Sequence, residues 1–470
     1  MKVRKNKGKK KSNTIDDIGI TSDTLASRGG LTFFVRYLSG INLYSELERR
    51  FGMLRKSVKG KEIIELFKQI ICFLIDGTSR HLSHFDQMKV DKGYAELIET
   101  DPSDMASSHA IKRFLIKFSW PHIWMFRKIL KQMFIWRLQL VPPPLIRLDI
   151  DSMVMDNDEA PKRHGVSPTY KKKKGFNPIQ ATWGRFIIDA VFQGGKKHCN
   201  HGDTVEKMIR HLVMDIRIHY RTDVPIIFSF DSGYFDQKIL KLCEVLQVGY
   251  VCGGKLYKDV KEYLSSVEPS CFKSYGKGSQ TWDYVELGDK PASWSRYRRA
   301  IFCRPRYEDR QQLLEFARPD TLIYTNLGMG QRIDEQLRVA GQEDLLMARG
   351  CIGLYHGRGC NELVNRGFKD FGFEELPFLR FAPNAALYYI MLLAFFLFES
   401  FKEDVLSGQA SVTSYARTIR RKVVDIAAKI VKSGGRKILK VTEAVWKALN
   451  LPVLWKKSGN PPKISWDMGF

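Results

Sequence analysis

The chain has 470 residues, which at about 150 residues per folding unit suggests roughly three units. It carries 76 Lys and Arg against 51 Asp and Glu, a formal net charge of +25. Hydrophobic residues at 44% and aromatics at 12% exclude a largely disordered chain, and the excess positive charge points to a polyanionic partner, nucleic acid before an anionic membrane surface.

Residues 1–12 read as a solvated basic tail suited to non-specific phosphate contact; no apolar run follows, so no secretory signal is expected. From Thr24 to Leu140 the periodicity is helical. KEIIELFKQIICFLIDG is a helix ended by Gly77, and the segment from Ser107 to Leu138 reads as two helices interrupted at Pro121. The run Val141 to Pro144 is a stiff boundary. Ile146, Leu148 and Ile150 then alternate with Arg147, Asp149 and Asp151, the period of a strand. A second strand, WGRFIIDAVF, precedes a helix capped by Asp203 or Thr204. The apolar strand PIIFSF turns at Asp231-Ser232-Gly233, and helix DQKILKLCEVLQ leads to strand VGYVCGG. Strands alternating with helices predict an α/β layer with some parallel pairing.

Between about residues 258 and 320, Tyr, Trp, Ser and Arg crowd together, which predicts an insertion of extended strands. Helical texture returns over 329–368 and 385–403. The uncharged stretch from Phe381 to Phe398 approaches membrane-spanning length, but Pro383 and Asn384 shorten its apolar part, so a buried core helix is expected and no membrane. Residues 413–440 read as a basic helix pair broken at Gly434-Gly435. Eight cysteines without a C-x-x-C pair fit a reducing, cytoplasmic setting. His198, His201, His211 and His219 lack a metal-binding context and read as helix-surface residues.

Three carboxylates stand out. Asp151 and Asp231 fall at strand ends, where side chains of an α/β layer reach a shared crevice; each alone could equally cap a turn. Glu362 lies in YHGRGCNELVNRGFK. At about 100° per residue, Tyr355, Arg358, Glu362 and Lys369 share one helical face, which periodicity alone also allows to be an ordinary solvated face.

Tyr355, Arg358, Glu362 and Lys369 also match, without a gap, the Tyr-x2-Arg-x3-Glu-x6-Lys signature of the DDE transposases of bacterial insertion sequences. DIDSMVMD resembles that family's first-aspartate strand and FSFDSGYFDQKILKLCEVLQVGYVCGGK its second-aspartate block. FLIDGTSRHLSHFDQMKVD, RTIRRKVVDIAAKIVKSGGRK and the Pro-Asn-Ala-led apolar helix resemble one group of these elements, so the similarity runs from about Lys61 to Lys440. The resemblance implies an RNase H-like catalytic core within the α/β class. That core would carry a β-rich insertion and be flanked by a helical N-terminal domain and a basic helical C-terminal tail.

The implied layout is an end-binding helical region over 1–140, core segments over 141–257 and 329–404 with the insertion at 258–328 between them, and the basic region over 405–470. Asp151, Asp231 and Glu362 would be the catalytic triad, holding two Mg²⁺ ions for which Mn²⁺ could substitute. Asp149 is the competing first aspartate, but Asp151-Ser152 fits the family pattern better. Tyr355, Arg358 and Lys369 would grip DNA near the cleaved phosphate. Two hard cations about 3.5–4 Å apart would activate the nucleophile and relieve the leaving oxygen, and an all-carboxylate site suits them.

Lys171, Lys172, Lys173 and Lys174, in a segment without acids, are expected along DNA beside that site. Trp282 and Trp294 read first as core residues, with stacking on a flipped base as the alternative. The expected function is cut-and-paste transposition by a homodimer assembled on terminal inverted repeats, on the nucleoid of a bacterial cytoplasm. The alternatives are a catalytically silent, transposase-derived DNA-binding protein and a general RNase H-like nuclease.

Overall fold

The alternation after the proline linker is realised as strand β1 (Ile146–Ser152), whose Ile146, Leu148 and Ile150 are fully buried. The computed structural model describes Ile15 and residues 17–57, 60–198, 200–278, 280–306 and 320–467. The basic tail over 1–12 and residues 307–319 of the expected insertion lie outside the described residues. WGRFIIDAVF forms not one strand but a hairpin, β2 (Ile179–Trp183) and β3 (Phe186–Val191), turning at Gly184-Arg185.

Strands β4 (Ile226–Phe230) and β5 (Gly249–Gly253) follow as expected. The insertion contributes β6 (Lys273–Lys277), β7 (Gln280–Asp289), β8 (Arg298–Arg306) and β9 (Thr321–Thr325) after a helix at Lys258–Ser266. All nine belong to one sheet of order β6-β7-β8-β9-β5-β4-β1-β2-β3. Pairing is parallel for β1–β4 and β4–β5 and antiparallel elsewhere. The insertion therefore extends the central sheet through β9–β5 instead of forming a layer of its own.

Both faces of the sheet centre are covered, which suits its parallel strands. Phe228, Phe230, Tyr250 and Cys252 enter a core shared with the helices, whereas Ile227 and Val251 enter a second core with Ile301, Ile323 and Ile352. Of the helices that position the site, α1 (Ile63–Asp76) stops at Gly77, whose φ of 63° suits a residue without Cβ. The next break falls at Lys117 to Ser119, and Pro121 opens α2 (Trp120–Leu140) in its first turn, where a missing N–H costs nothing.

Helices α3 (Thr204–His219) and α4 (Gln237–Val245) flank β4, and α5 (Ala348–His356) and α6 (Gly359–Phe371) precede α7 (Phe381–Asp404). The uncharged stretch is indeed a core helix. Helix α7 is buried from Pro383 to Lys402 and packs against α2 and β3. Its Tyr389 hydroxyl donates to the Ala190 carbonyl at 2.6 Å, and Gln180 donates to the Tyr388 hydroxyl at 2.8 Å.

The basic tail corrects the expectation of a helix pair over 413–440. After a short helical turn at Ala416–Ile419, residues Ala428–Ser433 and Arg436–Lys440 form a β-hairpin that pairs with Thr24–Ala26. Gly434 and Gly435 both have positive φ, 55° and 72°, as a two-residue hairpin turn of right-handed strand twist requires. The spacing of Ile430, Val431, Ile438 and Leu439 serves strand pairing here, so the "basic helical" tail is helical only on either side of the hairpin, at Ala416–Ile419 and Arg420–Val424 before it and at Glu443–Ala448 and Leu451–Gly459 beyond it.

Arg127 of α2 makes a two-pronged ion pair with Asp189 of β3, Nε–Oδ1 2.7 Å and Nη2–Oδ2 2.6 Å, and Asp189 is fully buried. This pair ties the N-terminal helices to the sheet edge. Arg127→Ala strands the aspartate and is expected to lower unfolding free energy by about 3–5 kcal/mol, read from the denaturant midpoint.

Candidate active site

The parallel register of β1 and β4 sets Ile150 opposite Phe230, so Asp151 and Asp231 follow side by side at the carboxyl ends of adjacent strands. Each is oriented by a backbone amide. Asp151 Oδ1 accepts from the Ser152 N–H at 2.7 Å, and Asp231 Oδ1 accepts from Gly233 at 2.8 Å, capping the turn Ser232–Tyr234. Burial, then the charge of Asp231, push the Asp151 carboxyl up to about 6; the Ser152 amide, Arg358 and Lys171 pull the other way. Asp149 sits two residue pairs deeper, level with Ser229, is 7% exposed and has Arg147 Nη2 at 3.7 Å.

Tyr355 and Arg358 join the two aspartates. The Tyr355 hydroxyl packs onto the end of β5, so close that a Cβ on Gly253 would stand 2.4 Å from it and 3.1 Å from the Ser232 nitrogen. Burial raises the pKa of the Tyr355 hydroxyl, and Arg358, whose guanidinium carbon lies 5.9 Å from the ring centre, opposes that rise. Arg147 of β1 fixes the same region by donating to the Leu354 carbonyl at 2.7 Å.

The stretch from Tyr355 to Lys369 is not the one continuous helix expected. Helix α5 ends at His356 and α6 begins at Gly359, with Gly357 and Arg358 between them as a tightened turn closed by Arg358 N–H to Tyr355 O at 3.2 Å. The three glycines at 353, 357 and 359 weaken a continuous helix. Glu362 is exposed in the first turn of α6, and Lys369 pairs with Glu374 at 2.8 Å. Among the described residues no three His, Cys, Asp or Glu side chains lie close enough to hold one metal ion. The Asp151–Asp231 pair nevertheless fits a hard divalent cation: its donors are all oxygen, and two crowded carboxylates carry charge that a cation would relieve.

The four lysines divide. Lys171 acts electrostatically on Asp151 and lies over the Tyr170 ring. Lys173 instead pairs with Asp156 at 3.3 Å and Asp158 at 3.0 Å, acids outside the basic segment itself. Lys172 takes a left-handed turn conformation, φ 58°, and Lys174 enters the small strand Lys174–Phe176. A cleft of about 460 Å³ opens between this loop and the Asp231 turn, lined by Ser152, Tyr170, Asn177, Lys197, His198 and Asp231.

His198 and His201 thus lie in the loop before α3, not on a helix, and Lys197 and His198 are cleft residues the sequence reading missed. Only their position before the Asp203 cap signalled a loop there. Trp282 is 3% exposed and stacked between Tyr275 and His356, while Trp294 packs on Phe235 and Tyr324. Trp282 is a core residue, and Trp294 is half-buried against the core.

Because Asp151 ionises reluctantly in the folded chain, its carboxylate costs stability once pH rises past the ordinary aspartate range, through about 4 to 6, and the cost persists above. In EDTA, Asp151→Asn is expected to melt roughly 2–4 °C above the parent at pH 8 and level with it near pH 4, by differential scanning fluorimetry.

The sequence profile of the transposase DDE domain group 1 family matches residues 11–453. Comparison with curated proteins returns no match. Among solved structures the chain is similar to the piggyBac transposase in the cryo-EM structure of its synaptic complex with hairpin DNA, at 14% identity over 86% of this chain and 83% of that one, with a TM-score of 0.39. The match over nearly the whole chain places this protein in the transposase DDE domain group 1 family, and it is a DNA transposase.

Proposed function

We propose that the chain is a cut-and-paste transposase of the bacterial insertion-sequence type with a Tyr-Arg-Glu-Lys signature, cutting and joining DNA at Asp151, Asp231 and Glu362. The observation that carries this reading is the side-by-side placement of Asp151 and Asp231 at two parallel strand ends, with Tyr355 and Arg358 against them. An RNase H-like core is supported by the strand order β3-β2-β1-β4-β5, a three-stranded meander followed by two parallel crossovers. In the same reading, 1–140 bind the element ends, 141–257 and 329–404 build the core around the insertion 258–328, and 405–470 form the basic C-terminal region. The protein would act as a homodimer on terminal inverted repeats, on nucleoid DNA in the cytoplasm.

The family works with divalent metal ions. Two Mg²⁺, or Mn²⁺ in their place, would be held by Asp151 and Asp231, with Glu362 as the third carboxylate, and would supply an activated water and charge relief at the phosphate. Arg358 and Lys171 would hold the phosphate oxygens beside the aspartates. Tyr355, clamped against Gly253, would set where Arg358 points. Lys369 and Lys172 to Lys174 would track the flanking backbone, Lys173 after exchange of its two aspartates for phosphate. A second reading, a binding protein that no longer cuts, is favoured by the exposed setting of Glu362, which joins no three-ligand metal cluster among the described residues.

Incubating pre-cut repeat-end DNA with plasmid and Mg²⁺ separates these readings. Joined products are expected; end binding without cleavage would favour the silent protein, and cleavage without joining a nuclease. Glu362→Gln is expected to abolish joining, by at least about 100-fold, while end binding in a gel-shift assay stays within about twofold. Gly253→Ala forces the Tyr355 hydroxyl aside and is expected to lower the joining rate about tenfold with an unchanged melting temperature.

A further inference from the structure

Two motifs noted in the sequence remain outside the aspartate site: the segment ending α1, DGTSR, and the basic segment RTIRR. They meet in a pocket of about 300 Å³ at the far end of α6, lined by five arginines (Arg28, Arg80, Arg417, Arg420 and Arg421) and three aspartates (Asp76, Asp370 and Asp425). The charges do not cancel. Arg28 takes Asp76, at 2.8 Å, and Asp425. Asp370 accepts from the Arg417 amide at 3.1 Å, and the Arg417 guanidinium reaches it only at 3.9 Å.

Arg420 spends its guanidinium on carbonyls: Nε on Ile75 at 2.9 Å, Nη2 on Leu74 at 2.7 Å and on Phe371 at 2.8 Å, and Nη1 on Asp370 at 3.4 Å. It thereby clamps the ends of α1 and α6 and keeps its full charge. Burial, and then the nearby Arg80 and Arg28 charges, push its pKa down to about 10 even against Asp370 and Asp76. Arg80 and Arg421 stand exposed at the rim with no hydrogen-bond or ion-pair partner among the described residues.

We infer that this arginine pocket binds a backbone phosphate of duplex DNA through Arg80 and Arg421, over the positive floor of Arg420. The inference rests on the transposase reading. Helix α6, 13 residues long, spans about 20 Å from the Arg358 turn to the pocket, the length of about six base pairs. A duplex running from the aspartate pair along α6 would reach it. The neighbouring cleft, which shares Arg80, is lined by acids such as Asp156, Asp158 and Glu374, so the phosphate contact is local to the arginines.

The test uses the full chain, a fluorescein-labelled duplex of mixed sequence and anisotropy titrations between about 50 and 200 mM NaCl. Arg80→Ala combined with Arg421→Ala is expected to weaken binding about tenfold and to reduce the slope of log K against log [NaCl] by roughly 1–2, with the wild-type melting temperature. The double lysine variant is expected to keep the slope. An unchanged slope in the alanine variant overturns the inference. So does a melting-temperature rise in inorganic phosphate alone that the alanine variant loses while its DNA slope stays unchanged, since the pocket would then take a free anion. Failure of the wild-type protein to bind duplex at all would instead bring down the transposase reading, and the inference with it.

Discussion

Hydrogen-bond register between β1 and β4 sets the spacing of two carboxylates that would separate if they were free to do so. Asp151 follows Ile150 and Asp231 follows Phe230, and those two residues are paired across a parallel ladder, so neither acid can retreat without slipping a strand. A slip of one residue would turn Ile146, Leu148 and Ile150 out of the core. The repulsion is thus held by apolar burial. The local amides of Ser152 and Gly233, together with Arg358 and Lys171, only soften it. A site strained in this way is a receptor for positive charge, and the fold keeps it so before any partner arrives.

The rest of the scaffold keeps that register from relaxing. The central strands are sealed on both faces, by the helical core on one and on the other by a second core that includes the helices Arg332–Val339 and Ala348–His356. Extending the sheet through β9 buries β5 between two partners, and β5 carries Gly253, the seat of Tyr355. On the opposite edge, β3 is fastened to α2 by Arg127 and Asp189 and to α7 by Tyr389. Helix α7 needs almost no solvent-facing side because sheet and helices surround it. That is why its composition imitates a membrane span while its Tyr hydroxyls still find partners.

How far the sequence could be read depended on whether a residue's role was local. The alternation of Ile146, Leu148 and Ile150 and the apolar run before Asp231 report strands directly, so the placement of two acids at strand ends was legible. The third carboxylate was approached through helical periodicity across Tyr355 to Lys369, and there the glycines at 357 and 359 let the chain tighten and restart as two helices, so one continuous helical period does not describe the stretch. In the tail, alternating β-branched residues and lysines satisfy helix and hairpin periods alike; the deciding signal was the Gly434-Gly435 pair, read as a break when it was a turn. Lys173 shows another limit. No acid stands in its own segment, yet Asp156 and Asp158 fold back onto it.

The net charge of +25 is a sum, and the structure shows how unevenly it is spent. Arg127, Arg147 and Arg298 are structural cations, committed to Asp189, to a backbone carbonyl and to Glu244. Arg420 is committed too, but to carbonyls, which satisfy its hydrogen bonds without neutralising it. Satisfying donors and cancelling charge are separate requirements, and a buried guanidinium that meets only the first leaves a positive potential at the surface above it. Clamping two helix ends with Arg420 therefore does two jobs. It fixes where α6 ends relative to α1, and it charges the floor beneath Arg80 and Arg421. Segments about 345 residues apart come together at one surface through that clamp and through Arg28, which pairs with both Asp76 and Asp425, and this is why neither motif announced a binding site when read alone.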